Sequence, residues 1–470
     1  MRRVATCLFV STLGACALSP PPAREVLVQE ALPNVAVPTR YAAPGGASGM
    51  VTTEDWIAAL KEPALESLVR EALVYNADLR IAAARVDAAA AYLAGAKSPL
   101  WPQVNFIGRG GGKMSGDSSG LQGGGFFASW ELDLWGRVRA ASRYTELQYE
   151  SVGLDGQYAQ QSIAALVAKG WILAIEARLS KAQALSMVRS SEDLVSLASD
   201  RLRVGVGDES EVTIARANVE TMRDTVASLD LAYLNALRAL ETLVGRYPGA
   251  TIAVAERLPA WPGEVPVGLP SELLERRPDV VAAERRVAAA FYRVEEAKAA
   301  RLPRITLVAN FTTISSELFV LQSRENPLLS FGAGLLQPIF LGGLLQSQVE
   351  ARTAEQQAAI ADYGKIGTRV FGEVEGALSA GFNSAEREAI LARSVRENAR
   401  ALELAQVRYK VGSGDLRAVQ QQQLLLYSAQ VTLIRVQSER LVQRVNLHLA
   451  LGGSFTVPPV AVTGDASSAK

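Results

Sequence analysis

The chain has 470 residues, 49% of them hydrophobic, enough for a large buried core and too apolar for disorder except near the ends. Lys plus Arg and Asp plus Glu both total 48, which excludes the basic footprint of a nucleic-acid binder. Both cysteines, Cys7 and Cys16, lie at the start, so the rest of the chain has neither thiol chemistry nor disulfides.

The first element is a leader. Arg2 and Arg3 precede an apolar run from Val4 to Val10, and Leu13-Gly14-Ala15-Cys16 follows as a lipobox. Residues 1–15 read as a secretory signal peptide, with the sulfur of Cys16 carrying lipid; an ordinary signal peptide cut nearby is the alternative. Removing the leader takes two positive charges with it and leaves the mature chain slightly acidic. Residues 16–52, rich in Pro, Ala and Gly, read as a lipid anchor and extended tether. No later stretch reaches the roughly twenty apolar residues of a membrane-spanning helix, so any crossing must be made by strands.

Beyond the tether the chain repeats itself. Asn76-Ala77-Asp78-Leu79 aligns with Arg277-Pro278-Asp279-Val280, and Lys97 with Lys298 and Pro102 with Pro303 follow at the same offset. Further on, Leu134-Trp135-Gly136 matches Phe340-Leu341-Gly342, the Arg201 to Asp208 segment matches Arg408 to Asp415, and Val244-Gly245 matches Leu451-Gly452. One unit is therefore duplicated, as residues 53–255 and 256–453, with 454–470 as a flexible tail.

Each unit offers a medium helix, a polar and Gly-rich interlude, and a long helical stretch that turns back at Val-Gly-x-Gly-Asp, where Asp suits a helix N-cap. Ala215, Val219, Met222, Val226, Leu229, Tyr233, Ala236, Leu240 and Leu243 alternate steps of four and three, the spacing of a coiled coil. No proline interrupts Trp135 to Leu202, so a helix there would run about 100 Å. Gly153 and Gly156 are the place where a break would be tolerated.

The interludes carry period-two alternation. Ile305, Leu307, Ala309 and Phe311 share one face and Thr306, Val308, Asn310 and Thr312 the other; Ala128, Trp130, Leu132 and Leu134 alternate with Ser129, Glu131 and Asp133. Four strands result, at residues 103–111, 124–134, 304–316 and 329–340, each about the nine to eleven residues that cross a bilayer when tilted. Four strands cannot close a conducting barrel, whereas an oligomer can. Soluble hairpins with one buried face are the alternative reading.

Glu131-Leu132-Asp133-Leu134-Trp135-Gly136-Arg137 and Leu273-Leu274-Glu275-Arg276-Arg277-Pro278-Asp279-Val280 resemble the strand-to-helix junction and second-repeat start of the TolC-type outer membrane factor family, in its lipoprotein branch of OprM-like and NodT-like efflux channels. The resemblance runs from Trp56 to Gly453. It implies a mainly α protein with a transmembrane β-barrel: a homotrimer whose protomers each give four strands to a shared barrel of about twelve, continuous with a long periplasmic α-helical barrel. It also implies an outer-membrane exit duct without catalysis or cofactor, fed by an inner-membrane pump of the RND type through a periplasmic adaptor. Ala17, where resembling lipoproteins retained at the inner membrane carry Asp, implies sorting to the outer membrane.

The resemblance further implies a periplasmic iris of polar contacts among the hairpin tips. The matching positions are Arg201, Asp208, Arg408, Tyr409 and Asp415. Many members carry acidic residues one turn further along the second hairpin, where this chain has Ala418 and Gln421, so Asp415 is the substitute for the acidic ring. Plain helix capping by Asp208 and Asp415, and helix-end solvation of Arg201 and Arg408, are the alternatives. Glu131 and Asp133 are expected to line the barrel lumen, since a carboxylate facing lipid is costly.

Enzymatic readings lack residues. His448, the one histidine, continues the Tyr427, Ile434, Leu441 seam as a packed helix residue, and no cluster has metal-ligand spacing. Glu131 and Asp133 as a hydrolase pair, and the whole chain as a lipid-anchored coiled-coil scaffold without a pore, are the competing functions; the scaffold leaves the four strands unexplained.

Overall fold

The computed structural model describes residues 20–45, 55–109, 122–315 and 328–453; Cys16, the leader and the tail at 454–470 lie outside the described residues. In chain order the elements are α1 (Arg24–Ala31), α2 (Pro63–Tyr75), α3 (Ala77–Lys97), β1 (Gln103–Arg109), β2 (Gln122–Leu132), α4 (Arg137–Arg203), α5 (Glu209–Leu243), α6 (Pro270–Arg276), α7 (Pro278–Ala299), β3 (Arg304–Ser315), β4 (Leu328–Leu336), α8 (Leu344–Lys410) and α9 (Leu416–Ala450). Helices α4 and α8 each have 67 residues, and α5 and α9 each have 35. No helix among the described residues is long and apolar enough to cross a membrane.

Four expectations need correction. The tether is not extended throughout, because Arg24–Ala31 is helical; Leu27 is buried and Arg24 pairs with Glu284 at 2.8 Å. Helix α4 passes through Gly153 and Gly156 without a break, since about 1 kcal/mol per glycine is small against a helix packed along its length. Strand β2 ends at Leu132, so Asp133 and Leu134 leave the alternation: the Asp133 carboxylate accepts the amides of Val138 at 3.0 Å and Arg139 at 2.8 Å and caps α4 instead. Strand β4 ends at Leu336 rather than at 340, because Pro338 cannot donate to a ladder.

The chain divides into two units. The first comprises Met1–Val35, Ala83–Asp155 and Asp279–Gly367 and holds the sheet. Its strands pair antiparallel in the order β1-β2-β3-β4, so β1 and β4 are edges. Salt bridges join α7 to α4 in the same unit, Arg285 to Glu150 at 3.0 Å and Arg286 to Asp155.

The second unit comprises Ala36–Ala82, Gly156–Pro278 and Thr368–Lys470. Its main core joins Leu65, Leu68 and Val69 of α2, Trp171, Ile172 and Ile175 of α4, Leu237 and Leu240 of α5, and Leu441 and Val445 of α9. The aligned residues Asn76 and Arg277 do the same task in it. Asn76 Nδ2 donates to the carbonyl of Leu243, the last residue of α5, at 2.8 Å while its Oδ1 accepts the amides of Asp78 and Leu79. The fully buried Arg277 donates to the carbonyl of Ala450, the last residue of α9, at 3.1 Å, to Glu373 at 2.6 Å and to the Tyr158 hydroxyl at 3.2 Å. Each short entry helix is thereby tied to the end of its own hairpin, satisfying a carbonyl that would otherwise be orphaned.

The segment joining the hairpins is clamped by buried polar groups. Glu241, fully buried in α5, accepts from the amides of Ala250 at 2.6 Å and Ile252 at 3.2 Å and from the Thr251 hydroxyl at 2.9 Å. Burial alone would push its carboxyl up, but these donors outweigh it and hold it below the usual carboxylate range. The same bonds hold Ala250 at a φ of 58°.

His448 is stacked on Trp56, ring centroids 5.8 Å apart. Burial, with help from the charge on Arg444, pushes its imidazole down to about 3. It is therefore neutral when folded and its share of stability, present above the ordinary pKa near 6.5, is lost as pH falls toward 3. His448→Leu should accordingly flatten the loss of thermal stability between pH 7 and pH 4 relative to the unaltered chain, about 1 to 3 kcal/mol across that range. Identical pH profiles in a melting series would refute this.

Candidate functional site

The register sorts the sheet into two faces. On one, Val104, Ala128, Ala309 and Phe331 lie in a row across all four strands, as do Phe106, Phe126, Phe311 and Leu329, and the rows of Trp130, Leu307 and Ala333 and of Leu132, Ile305 and Leu335 follow. Most of the large side chains in these rows are exposed in the single chain, Phe331 by 76% and Phe106 by 65%, while Ala128, Leu132, Ile305 and Ala309 are half-buried. On the other face lie Asn105, Phe127, Asn310 and Ser330, and then Glu131, Thr306 and Gly334. This second face is the more polar of the two but is mixed, since Ile107, Phe127, Val308 and Leu336 share it; a wide and continuous oily face opposite a more polar one is what a strand set between lipid and water requires.

Glu131 therefore sits on the polar face, where Arg137 holds it through two hydrogen bonds, Nε to Oε1 at 3.0 Å and Nη2 to Oε2 at 2.7 Å. Asp133, the helix cap, is paired with Arg139 at 3.2 Å. The two carboxylates are thus each paired with a cation, an arrangement that suits a junction.

At the far ends of the hairpins the two turns have the same construction. Arg201 and Arg408 carbonyls accept the amides of Val206 and Ser413 at 3.0 Å each, with Gly205 at a φ of 80° and Gly412 at 82° completing the turn, a conformation only glycine adopts without cost. Asp208 and Asp415 cap α5 and α9, accepting from Ser210 at 3.0 Å and Ala418 at 2.6 Å. Capping uses one carboxylate oxygen in each case and leaves the other available.

Three residues bind one tip to the other. Arg201 donates to the Tyr409 carbonyl at 2.8 Å and to the Val206 carbonyl at 3.2 Å, and its guanidinium lies 4.6 Å from the Tyr409 ring centroid. Tyr409, fully buried, donates its hydroxyl to Glu211 at 3.0 Å and packs with Leu194, Ala215, Leu416 and Val419. Burial first, and then the Glu211 carboxylate, push the phenol up to about 12. Of the expected iris residues, Arg201 and Tyr409 are brought together, Asp208 and Asp415 stand at the neighbouring caps, and Arg408 is exposed. Glu211 was not among the expected residues: three places after the Asp208 cap it reads as a capping-box acid, and only the second hairpin reveals its partner.

A model of the outer membrane efflux protein family matches residues 68–246 and again residues 269–453. The chain belongs to that family. It is 30% identical to the pyoverdine export outer membrane protein OpmQ of Pseudomonas aeruginosa, covering 96% of both chains, and 27% identical to the cation efflux system protein CusC of Escherichia coli, covering 96% of this chain and 98% of the relative. Among solved structures, the outer-membrane channel OprN superposes with a TM-score of 0.81 at 27% identity, covering 91% of this chain and 99% of that one. The open state of the MtrE outer membrane channel of Neisseria gonorrhoeae gives 0.78 at 26%, covering 94% and 98%. The chain is an outer-membrane efflux channel, and its relatives are transport proteins rather than enzymes.

Since a raised phenol pKa stabilises the fold below pH 10 and that share is lost as pH climbs through about 12, alkali should loosen the tips of this channel before its core. Tyr409→Phe should abolish that alkaline step and cost about 1 kcal/mol at neutral pH, whereas Tyr409→Ala, which also empties the packed site, should cost about 3 to 5 kcal/mol. Amide exchange at residues 195–215 and 402–420 reads both effects; equal protection in all three proteins would disprove the tip contact.

Proposed function

We propose that three copies of the mature chain assemble as a homotrimer, each giving four strands to one shared barrel of about twelve, and that the barrel opens into a long periplasmic tube of helices. The single supporting observation is the sheet itself: an oily face exposed on all four strands, with β1 and β4 left as edges. Backbone groups at an edge cannot remain unpaired in lipid, and four strands cannot curl onto themselves, so identical edges from sister copies are the natural partners. The equal lengths of α4 and α8 and of α5 and α9, with the family matched twice, support a duplicated unit at 53–255 and 256–453.

In this assembly the channel is the passive last stage of a tripartite system, receiving substrate from an inner-membrane pump of the RND type through a periplasmic adaptor that docks at the tips. Cys16 carries the lipid that anchors the mature amino terminus to the outer membrane, with residues 16–52 joining it to the first repeat. Glu131 contributes charge to the lumen face and Asp133 braces the strand-to-helix junction. Arg201, Asp208, Arg408, Tyr409 and Asp415 form the periplasmic gate, Arg201 and Tyr409 within one protomer and Arg408 and Asp415 toward its neighbours. A pore-free, lipid-anchored scaffold would have no use for an oily four-stranded face.

Planar-bilayer conductance tests the gate. Arg408→Ala combined with Asp415→Asn, which keeps the cap and removes the charge, should raise the open-state population; loss of about 1.4 kcal/mol of closing contacts gives about a tenfold rise. Unchanged conductance would remove these residues from the gate, and absence of any conductance in the purified protein would remove the pore.

A further inference from the structure

Where α7 ends and β3 begins, the chain builds a cavity of about 430 Å³ lined by Trp135, Glu295, Lys298, Ala299, Arg301 and Leu302. The Trp135 indole is fixed by a 2.7 Å bond from Nε1 to the Pro303 carbonyl and is 41% exposed; Leu302 is 40% exposed. Lys298 is neutralised by Glu295 at 2.8 Å, whereas Arg301 is exposed and no carboxylate pairs with it among the described residues. The cavity therefore carries a net positive charge beside an aromatic and an aliphatic wall.

Its place in the sheet narrows the occupant. The cavity sits where β2 ends and β3 begins, the two inner strands, with the Arg301 carbonyl accepting from Gln337, just past β4, at 3.2 Å. The last oily row, Leu132 with Ile305 and Leu335, ends just beside it. In a barrel set in a bilayer this is the level at which hydrocarbon gives way to headgroups, where Trp rings settle and cations meet phosphate.

We propose that this cavity binds an anionic glycerophospholipid of the periplasmic leaflet, its phosphate on Arg301 and Lys298, its glycerol region against Trp135 and Leu302, and an acyl chain along the oily row at Leu132 and Ile305. The assignment rests on the membrane-barrel reading above. It goes beyond that reading by placing one headgroup site on each protomer.

Native mass spectrometry of the detergent-solubilised assembly with added phosphatidylglycerol provides the test. One bound lipid per protomer is expected, with affinity about tenfold lower in the Lys298→Gln, Arg301→Gln double variant. Arg304→Gln, whose residue aligns with the opposite face beside Thr306, should bind as the unaltered protein does. Equal binding in the double variant, or an equal loss in Arg304→Gln, would overturn the site, as would displacement of the lipid by inorganic phosphate at equal concentration. If the double variant does not assemble, Arg301→Gln alone carries the same expectation. Failure of the unaltered chain to form a heat-modifiable oligomer would instead sink the barrel, so the two failures are distinguishable.

Discussion

On the proposed barrel reading, the need of every backbone amide and carbonyl in hydrocarbon for a partner governs the rest of this molecule. Strands β1 to β4 satisfy each other across three ladders, and the two outer edges have partners only if something else supplies them. A soluble protein would blunt such edges with charge, proline or a covering helix and would bury the oily face. Here Phe106, Phe126, Leu329 and Phe331 stay exposed, so the chain defers both demands to its surroundings.

The helices answer a different demand. A rod of 67 residues is held by neighbours along its length rather than by propensity: Trp171, Ile172 and Ile175 pack it into an apolar core, and a few polar contacts fix its ends and turns. Asn76 and Arg277 fasten the return helices, Glu241 fastens the segment that links the hairpins, and Arg201 with Tyr409 and Glu211 fastens the tips. An amide at Asn76 and a guanidinium at Arg277 do a similar geometric task with different chemistry, each bonding the last carbonyl of a hairpin's return helix. The larger group at Arg277 reaches three elements, α4, α8 and α9, where Asn76 reaches two, the end of α5 and the start of α3.

Much of this was legible in the residues. Alternation in β2 and β3 assigned each side chain to the face that the register gives it, and the heptad seam marked Ala215, Val219, Met222 and Leu240, all buried. Strand ends were less legible: Asp133 keeps the parity of a strand residue, and only the free amides of α4 draw it into a cap. The helix in the Pro-rich amino-terminal segment was hidden because its hold is tertiary: Arg24 meets an acid 260 residues away, and Gly364 leaves room for the Ala31 carbonyl. Glu211 was overlooked for a similar reason, since its partner lies 198 residues further on. Contacts at that separation leave no local pattern.

The most direct measurement of edge completion is intermolecular cross-linking. With Cys7 and Cys16 the only native thiols, single pairs of cysteines placed along β1, from Val104 to Ile107, and along β4, from Leu329 to Leu335, can be oxidised in outer membranes and resolved on a non-reducing gel. Closure by sister copies predicts one register in which a covalent trimer forms, with neighbouring registers two residues away much weaker. Pairs that close only within one chain, or no cross-linked species in any register, would contradict it.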